Sequence, residues 1–285
     1  MLFDYTQEGQ RKWAKYFPKC GGYWQSPIIL AASRSIALPL PALEMIGYRN
    51  LLAPLLVFTN NGHTVSLKVK NEFTKDRIPY IFGAMLNKNQ EYELESFHFH
   101  WGVKNGKGSE HLLHGIRYPM EMHLIHRNMK YKDLSTALQY EDGLAVLGIF
   151  FQLQEDDNEQ LKPLIAHLPA IQSANTETRL NTTMTLASLL PPQLDTYYTY
   201  KGSLTTPPCN EVVTWIVFTS MIPISYKQMS KFRVLSNGKG IIADNYRNAQ
   251  VLGNRKVYVR RIQSVLRNKN DMDYLDVSTL KWYWT

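Results

Sequence analysis

Residues 96–101 read Ser-Phe-His-Phe-His-Trp, polar and aromatic in strict alternation. A period of two belongs to a β-strand, whose successive side chains point to opposite faces. Ser96, His98 and His100 then share one face, and Phe97, Phe99 and Trp101 share the other. So large an aromatic face needs burial, so the segment predicts a strand backed by a core that carries two imidazoles side by side. Related runs recur along the chain. Residues 51–59 and 63–70 are rich in β-formers and flank Asn60-Asn61-Gly62, a strong hairpin signal. Residues 121–126, 145–153 and 212–219 are further apolar or alternating runs. Helical patterns are few and short. Residues 158–168 place Leu161, Leu164, Ile165 and Leu168 at helical spacing, and residues 225–235 open on a Ser225/Gln228 capping-box pair that turns Met229 and Phe232 inward. No internal repeat or Gly/Ser linker interrupts the pattern, which predicts one continuous sheet-centred domain.

Composition narrows the class. Seventeen tyrosines, eleven phenylalanines and six tryptophans exclude a disordered chain. The most apolar run, residues 143–153, is 11 long, where a membrane span needs roughly 20. The net charge is +8, a balance compatible with a polyanionic partner. The densest basic stretch, residues 255–269, has six basic residues and no acid. There Lys256, Tyr258 and Arg260 alternate with valines, which we read as the solvated edge of a sheet. Cys20 and Cys209 stand 189 positions apart, and spacing alone leaves two buried thiols and one disulfide equally open. No apolar leader opens the sequence, so the chain is read as either cytosolic or a mature domain.

Eight histidines are present. Catalytic zinc takes three protein ligands and keeps one position open. With His98 and His100 on one strand face, a third ligand has to come from a neighbouring strand. His123 suits this role, because Glu121 shares its face two residues earlier and could accept the second imidazole N–H. The alternative is a set of histidines satisfied within a core. Other chemistries lack their signatures: no H-E-x-x-H, G-x-S-x-G, Walker A or G-x-G-x-x-G occurs. Cys209 follows Pro207-Pro208 with no base beside it in sequence.

From about residue 5 to 262, roughly nine-tenths of its length, the chain resembles an α-class carbonic anhydrase. The segments that carry the resemblance are Gln25-Ser26-Pro27-Ile28, Asn60-Asn61-Gly62-His63, Phe97-His98-Phe99-His100-Trp101-Gly102 and Gly108-Ser109-Glu110-His111. Further on come Glu121-Met122-His123-Leu124-Ile125-His126, Gly143-Leu144-Ala145-Val146-Leu147-Gly148, Ser203-Leu204-Thr205-Thr206-Pro207-Pro208 and Asp244-Asn245-Tyr246-Arg247. They stand in the family's order and spacing. The resemblance implies a mostly β (α+β) single domain: a twisted, mostly antiparallel sheet of about ten strands, a few short peripheral helices and a conical cavity reaching a zinc ion. That domain would span residues 1–262, leaving 263–285 as a C-terminal extension.

It also implies roles. His98, His100 and His123 would hold Zn2+, and the activity would be reversible hydration of carbon dioxide to bicarbonate and a proton. Thr205 matches the family's gatekeeper and Glu110 the acid behind it, while His63 matches the proton shuttle. Strict alternation would instead put His63 with Val65, Leu67 and Val69 on an apolar face; the motif is preferred, since a turn can break that phase. Glu121, Ser96, Asn245, His111 and Tyr5 would surround the ligands. Thr206 would help to hold bicarbonate or an inhibitor, and Ile125, Val146, Leu204, Val213 and Trp215 would form the apolar wall for carbon dioxide. Two residues depart from the common pattern: Ser96 where many members carry Gln, and Ile125 where Val is common. Secreted and membrane-attached members carry a disulfide at the positions of Cys20 and Cys209, so a bridge and an extracellular origin are implied, with the leader absent from this sequence. Sulfonamide and anion inhibitors are expected to bind and nucleic acid is not, with membrane attachment or a homodimer left open. The alternative is a carbonic-anhydrase-related binding module; such members lack a ligand histidine, whereas all three stand here. A third reading, a polyanion binder, rests on the charge. Trp282 and Trp284 in the extension point to docking on the sheet or self-association.

Overall fold

The computed structural model describes residues 3–52, 56–69, 78–242 and 244–261. Ten strands follow one another across a mixed sheet: β1 (Ile36–Leu38), β2 (Leu56–Asn60), β3 (Val65–Val69), β4 (Tyr92–Trp101), β5 (Met120–Asn128), β6 (Leu144–Gln154), β7 (Thr176–Arg179), β8 (Tyr197–Gly202), β9 (Val213–Phe218) and β10 (Tyr258–Arg260). Their spatial order is β7-β2-β3-β4-β5-β6-β9-β8-β10-β1, and three short strands branch from this path. Only the β6–β9 and β10–β1 neighbours on the path are parallel. This is the mostly β, sheet-centred domain that the patterns predict.

The centre of the sheet is covered on both faces. On one side Phe97, Phe99, Trp101, Leu124 and Leu147 join the larger core. On the other, Val146, Val213, Trp215, Tyr198 and Tyr200 form a second cluster. Residues 144–151 of β6 are therefore all buried, which is why this strand reads as an unbroken apolar run. In β4 the alternation is shifted by a bulge between Leu94 and Ser96. The extra residue lets Leu94 and Phe97 enter the same core and leaves Ser96, His98 and His100 on the opposite face.

The hairpin forms between β2 and β3, with Asn60 opposite Val65. The Asn61 side chain accepts from the backbone N–H groups of His63 and Thr64, each at 2.9 Å. Gly62 sits at φ +81°, where a side chain is disfavoured. Because β3 begins only at Val65, His63 belongs to the turn and escapes the apolar face of Val65 and Leu67.

Among the described residues three α-helices exceed five residues: α1 (Gln7–Tyr16), α2 (Lys162–His167) and α3 (Tyr226–Phe232). The capping box at Ser225/Gln228 is present, with Met229 and Phe232 buried. The helical pattern at residues 158–168 is broken up into a 3-10 turn, α2 and another 3-10 turn, with Pro163 and Pro169 at the start of the last two. α1 has no apolar stripe, since Trp13 is its one buried residue; Thr6 caps it by accepting from Gly9 N–H.

The basic strand is not a solvated edge. β10 has β8 on one side and β1 on the other. Arg260 is 7% exposed; it donates to the carbonyls of Leu40 and Asp195, both at 2.8 Å, and to the Asp195 carboxylate at 3.1 Å. These acceptors satisfy the guanidinium inside the fold, which a polarity pattern cannot foresee. The extension at 263–285, with its two tryptophans, lies outside the described residues.

A buried pair in the larger core has a pH consequence. The Tyr48 hydroxyl donates to His126 Nε2 at 2.6 Å, and His126 Nδ1 donates to the Leu124 carbonyl at 3.1 Å. Burial pushes the imidazole down to about 3, against an ordinary value near 6.5. Between these values the unfolded chain binds the extra proton, so stability is full above pH ~6.5 and falls as pH drops toward 3. Urea unfolding at pH 7 and pH 5 should show a larger loss for the wild type than for His126→Gln; equal losses would contradict this linkage.

Candidate active site

The register of β4 against β5 assembles the centre. His98 lies directly opposite His123, and His100 opposite Glu121. One ring nitrogen of each of His98, His100 and His123 falls within 4.8 Å of the others. Their second nitrogens have distinct fates. His100 Nδ1 donates to the Asn245 carbonyl at 2.7 Å, and His123 Nε2 donates to Glu121 Oε1 at 2.7 Å. No hydrogen bond among the described residues joins Ser96 to His98; the two share only a strand face. The free nitrogens turn inward, with His98 Nε2 and His100 Nε2 3.0 Å apart. Burial holds the imidazoles neutral, pushing His100 down to about 4, His98 well below 6.5 and His123 below it.

Glu121 anchors this arrangement. Its Oε1 accepts from His111 Nδ1 and His123 Nε2, both at 2.7 Å, and its Oε2 accepts from the backbone N–H groups of Glu110 and His111, both at 2.8 Å. Burial acts to raise its carboxyl, but His111 and His123 outweigh that and hold it well below the usual range. His111 Nε2 in turn accepts from the Tyr200 hydroxyl at 2.7 Å, whose oxygen lies 2.9 Å from Ser26 Oγ. The loop can approach β5 this closely because Gly108 adopts φ +147°, where an added Cβ would lie 1.8 Å from the Pro119 carbonyl oxygen.

Glu110 is treated differently. Its Oε1 accepts from Arg247 N–H at 2.7 Å. Its Oε2 is buried without a well-formed hydrogen bond, 3.5 Å from His100 Nε2 and 3.9 Å from His123 Nδ1. Burial pushes this carboxyl up to about 7, opposed by His123, the Arg247 N–H and the Thr205 side chain. His100 and His123 present inward nitrogens without a proton, His98 turns Nε2 to the same point, and an orphaned carboxylate oxygen lies beside them; this donor set fits a divalent cation such as zinc.

Around this centre the remaining residues fall into two groups. Val146, Val213 and Trp215 belong to the second core cluster, with Ile125 and Leu204 packed on it; the Trp215 ring meets that of His123 edge-on at 4.7 Å. The loop that carries Thr205 and Thr206 is tied down by the Cys20–Cys209 disulfide and by Cys209 N–H donating to the Thr206 carbonyl. On the other side, Asn245 donates to the carbonyls of His63 and Phe99 and accepts from Trp101 N–H. The His63 ring stacks on Phe3 at 4.2 Å, and burial lowers its pKa. His63 also borders a cavity of about 560 Å³ lined by Tyr5, Gln10, Asn237, Asp244 and Tyr246 among others; none of the three clustered histidines lines it. Burial, then the charge of Glu110, raises the Tyr5 hydroxyl well above 10. Reading the sequence by residue type missed Arg247, Tyr200 and Ser26. Arg247 and Ser26 lie within matched segments, but nothing local marks them as partners of Glu110 and His111.

A model of the eukaryotic-type carbonic anhydrase family matches residues 8–261. Carbonic anhydrase 15 of Mus musculus is 36% identical over 260 residues, covering 87% of this chain and 79% of that protein. Carbonic anhydrase 6 of Homo sapiens is 36% identical over 251 residues, covering 86% and 78%, and its Mus musculus counterpart is 34% identical over 255 residues, covering 87% and 77%. The chain belongs to the eukaryotic-type carbonic anhydrase family, whose general activity is carbon dioxide hydration. It is thus an enzyme of the carbonate dehydratase type, with a histidine triad where a zinc enzyme requires one.

The disulfide closes a loop across 189 positions. In the chain-entropy account such a bridge stabilises by roughly 5 kcal/mol. The double variant Cys20→Ser/Cys209→Ser should lose a large part of that in urea unfolding, and unchanged stability would contradict the account.

Proposed function

We propose that this chain hydrates carbon dioxide reversibly through a zinc ion held by His98, His100 and His123. The observation that carries this reading is the convergence of three neutral imidazoles, two of which, His100 and His123, have their opposite nitrogens set by Asn245 and Glu121. When bound, zinc supplies the Lewis acidity that makes hydroxide available from water near neutral pH, as is established for carbonic anhydrases. His100 Nε2 and His123 Nδ1 would be ligand atoms because their other nitrogens are engaged, and Glu121 makes His123 the more basic donor. Glu110 in its ionised form accepts only, so the Thr205 hydroxyl donates to it and turns a lone pair toward the cavity. Thr205 thereby admits an oxygen that carries a proton and aims its other lone pair at the substrate. The wall of Ile125, Val146, Leu204, Val213 and Trp215 offers an apolar resting place for carbon dioxide, and Thr206 would help to hold bicarbonate. Sulfonamides and small anions would compete for that place. Presence of all three histidines with Glu110 and Thr205 favours catalysis over a recognition role.

Turnover also needs a proton acceptor that reaches solvent. His63 is half-buried, stands in a turn, and its carbonyl is held by Asn245. Its lowered pKa leaves the imidazole free to take a proton at neutral pH. The disulfide supports an oxidising, extracellular setting. Among the described residues no helix is long and apolar enough to cross a membrane.

Two measurements test this reading. Elemental analysis should find one zinc per wild-type chain together with carbon dioxide hydration, and His98→Ala should lose both; a metal-free, inactive wild type would overturn the proposal. His63→Ala should slow turnover by roughly tenfold or more in dilute buffer while keeping its zinc, with added imidazole restoring much of the rate. An unchanged rate in weak buffer would remove His63 from the reaction.

A further inference from the structure

The excess positive charge is not spent in the active site, and the two basic regions of the chain use theirs differently. In the 255–261 segment Arg255 and Arg260 are turned inward, while Lys256 and Arg261 stay exposed. Arg255 donates to the carbonyls of Leu252, Lys201 and Val251, and Arg260 to Leu40 and Asp195. In α1 and the 3-10 turn Pro18–Gly21 that follows it, Arg11, Lys12, Lys15 and Lys19 all stand exposed. The helix rests on the protein through Trp13, whose ring faces the Arg247 guanidinium, and through Gln10, which donates to the Tyr246 carbonyl. Its opposite side is left to solvent.

Glu8 is the acid of that helix and is paired with Lys12 at 2.5 Å. Among the described residues no carboxylate pairs with Arg11, Lys15 or Lys19. Arg11 and Lys15 are four residues apart, so they stack about 6 Å along the helix axis. An aromatic ring stands beside them: Tyr16 is 64% exposed, with the Lys15 ammonium 5.7 Å from its ring centroid. The result is two stacked cations on a capped helix, followed by Lys19 in the next turn, with the Tyr16 ring beside them and apart from the residues assigned to the reaction.

We propose that the outer face of α1, with Lys19, docks a sulfated polysaccharide chain. A linear polymer with repeated anionic groups matches a row of cations along a helix, and the Arg11 guanidinium can grip a sulfate with two parallel hydrogen bonds. The disulfide favours a polyanion of the oxidising exterior over nucleic acid. This inference does not depend on the zinc reading.

Retention on immobilised heparin, a sulfated polysaccharide, tests it. The wild type should be retained at about 0.15 M salt, and Arg11→Gln/Lys15→Gln/Lys19→Gln should bind roughly tenfold or more weakly, with a salt slope shallower by about three. Glutamine is a good helix former, so the melting temperature and carbon dioxide hydration of the triple variant should match the wild type. The control Lys132→Gln/Lys227→Gln/Lys231→Gln removes the same net charge from exposed positions elsewhere and should elute with the wild type. Desulfated heparin should not bind. Wild-type protein that passes through at 0.15 M salt would overturn the proposal, as would equal shifts in the two triple variants. Equal binding of duplex DNA or phosphatidylserine vesicles, with the same dependence on Arg11, Lys15 and Lys19, would overturn the choice of a sulfated polysaccharide.

Discussion

Glu121 accepts four hydrogen bonds from inside the protein, and the geometry of the centre is arranged around them. A buried carboxylate is costly unless its lone pairs are satisfied. Meeting that demand brings the Glu110–His111 backbone against β5, orients His111 with Tyr200 behind it, and fixes which nitrogen of His123 carries its proton. The ring of His123 is then held between Glu121 and Trp215. One residue thus couples a loop, a strand and a ligand atom.

Glu110 is one residue from His111 yet behaves in the opposite way. It has one well-formed backbone bond, an oxygen left over, and a carboxyl pushed up to about 7 by burial. Two neighbouring acids therefore differ because one is saturated with donors and the other is held in reserve. Arg247 connects that reserve to the frame. Its backbone N–H binds Glu110, while its guanidinium binds the Gln25 side chain and the carbonyls of Ser26 and Cys20. Gln25 also donates to the Cys209 carbonyl, so the disulfide, the threonine loop and Glu110 share one hydrogen-bonded scaffold.

The helix α1 meets this scaffold through Trp13, which packs with the Cys20–Cys209 disulfide and faces the Arg247 guanidinium, and it contributes little to the larger core. Trp13 and the Gln10 side chain hold it down, so most of its surface is free to carry charge. That thin contact is also why it has no apolar period to read: residues 7–16 contain no stripe, and the structural signals are the Thr6 cap and the placement of Glu8 and Lys15 at the two ends. The strand at Arg260 shows the reverse case. Its local polarity resembles an exposed edge, but β1 pairs outside it and supplies a roof.

Local pattern by itself determined the faces of β4, the hairpin at Asn61-Gly62 and the capped start of α3, because each depends on residues within one or two turns of chain. The ordered motifs determined the family, since so many matched segments in one spacing leave little freedom of fold. The tertiary structure alone decided that Asn245 orients His100, that Tyr200 backs His111, that Gln25 reaches the Cys209 carbonyl, and that Arg247 lies against Glu110. Each of these contacts joins residues on different elements, several more than a hundred positions apart. The bulge in β4, the β4–β5 register and the seating of loops against the sheet set them, and these belong to the packing of the whole domain rather than to any segment of it.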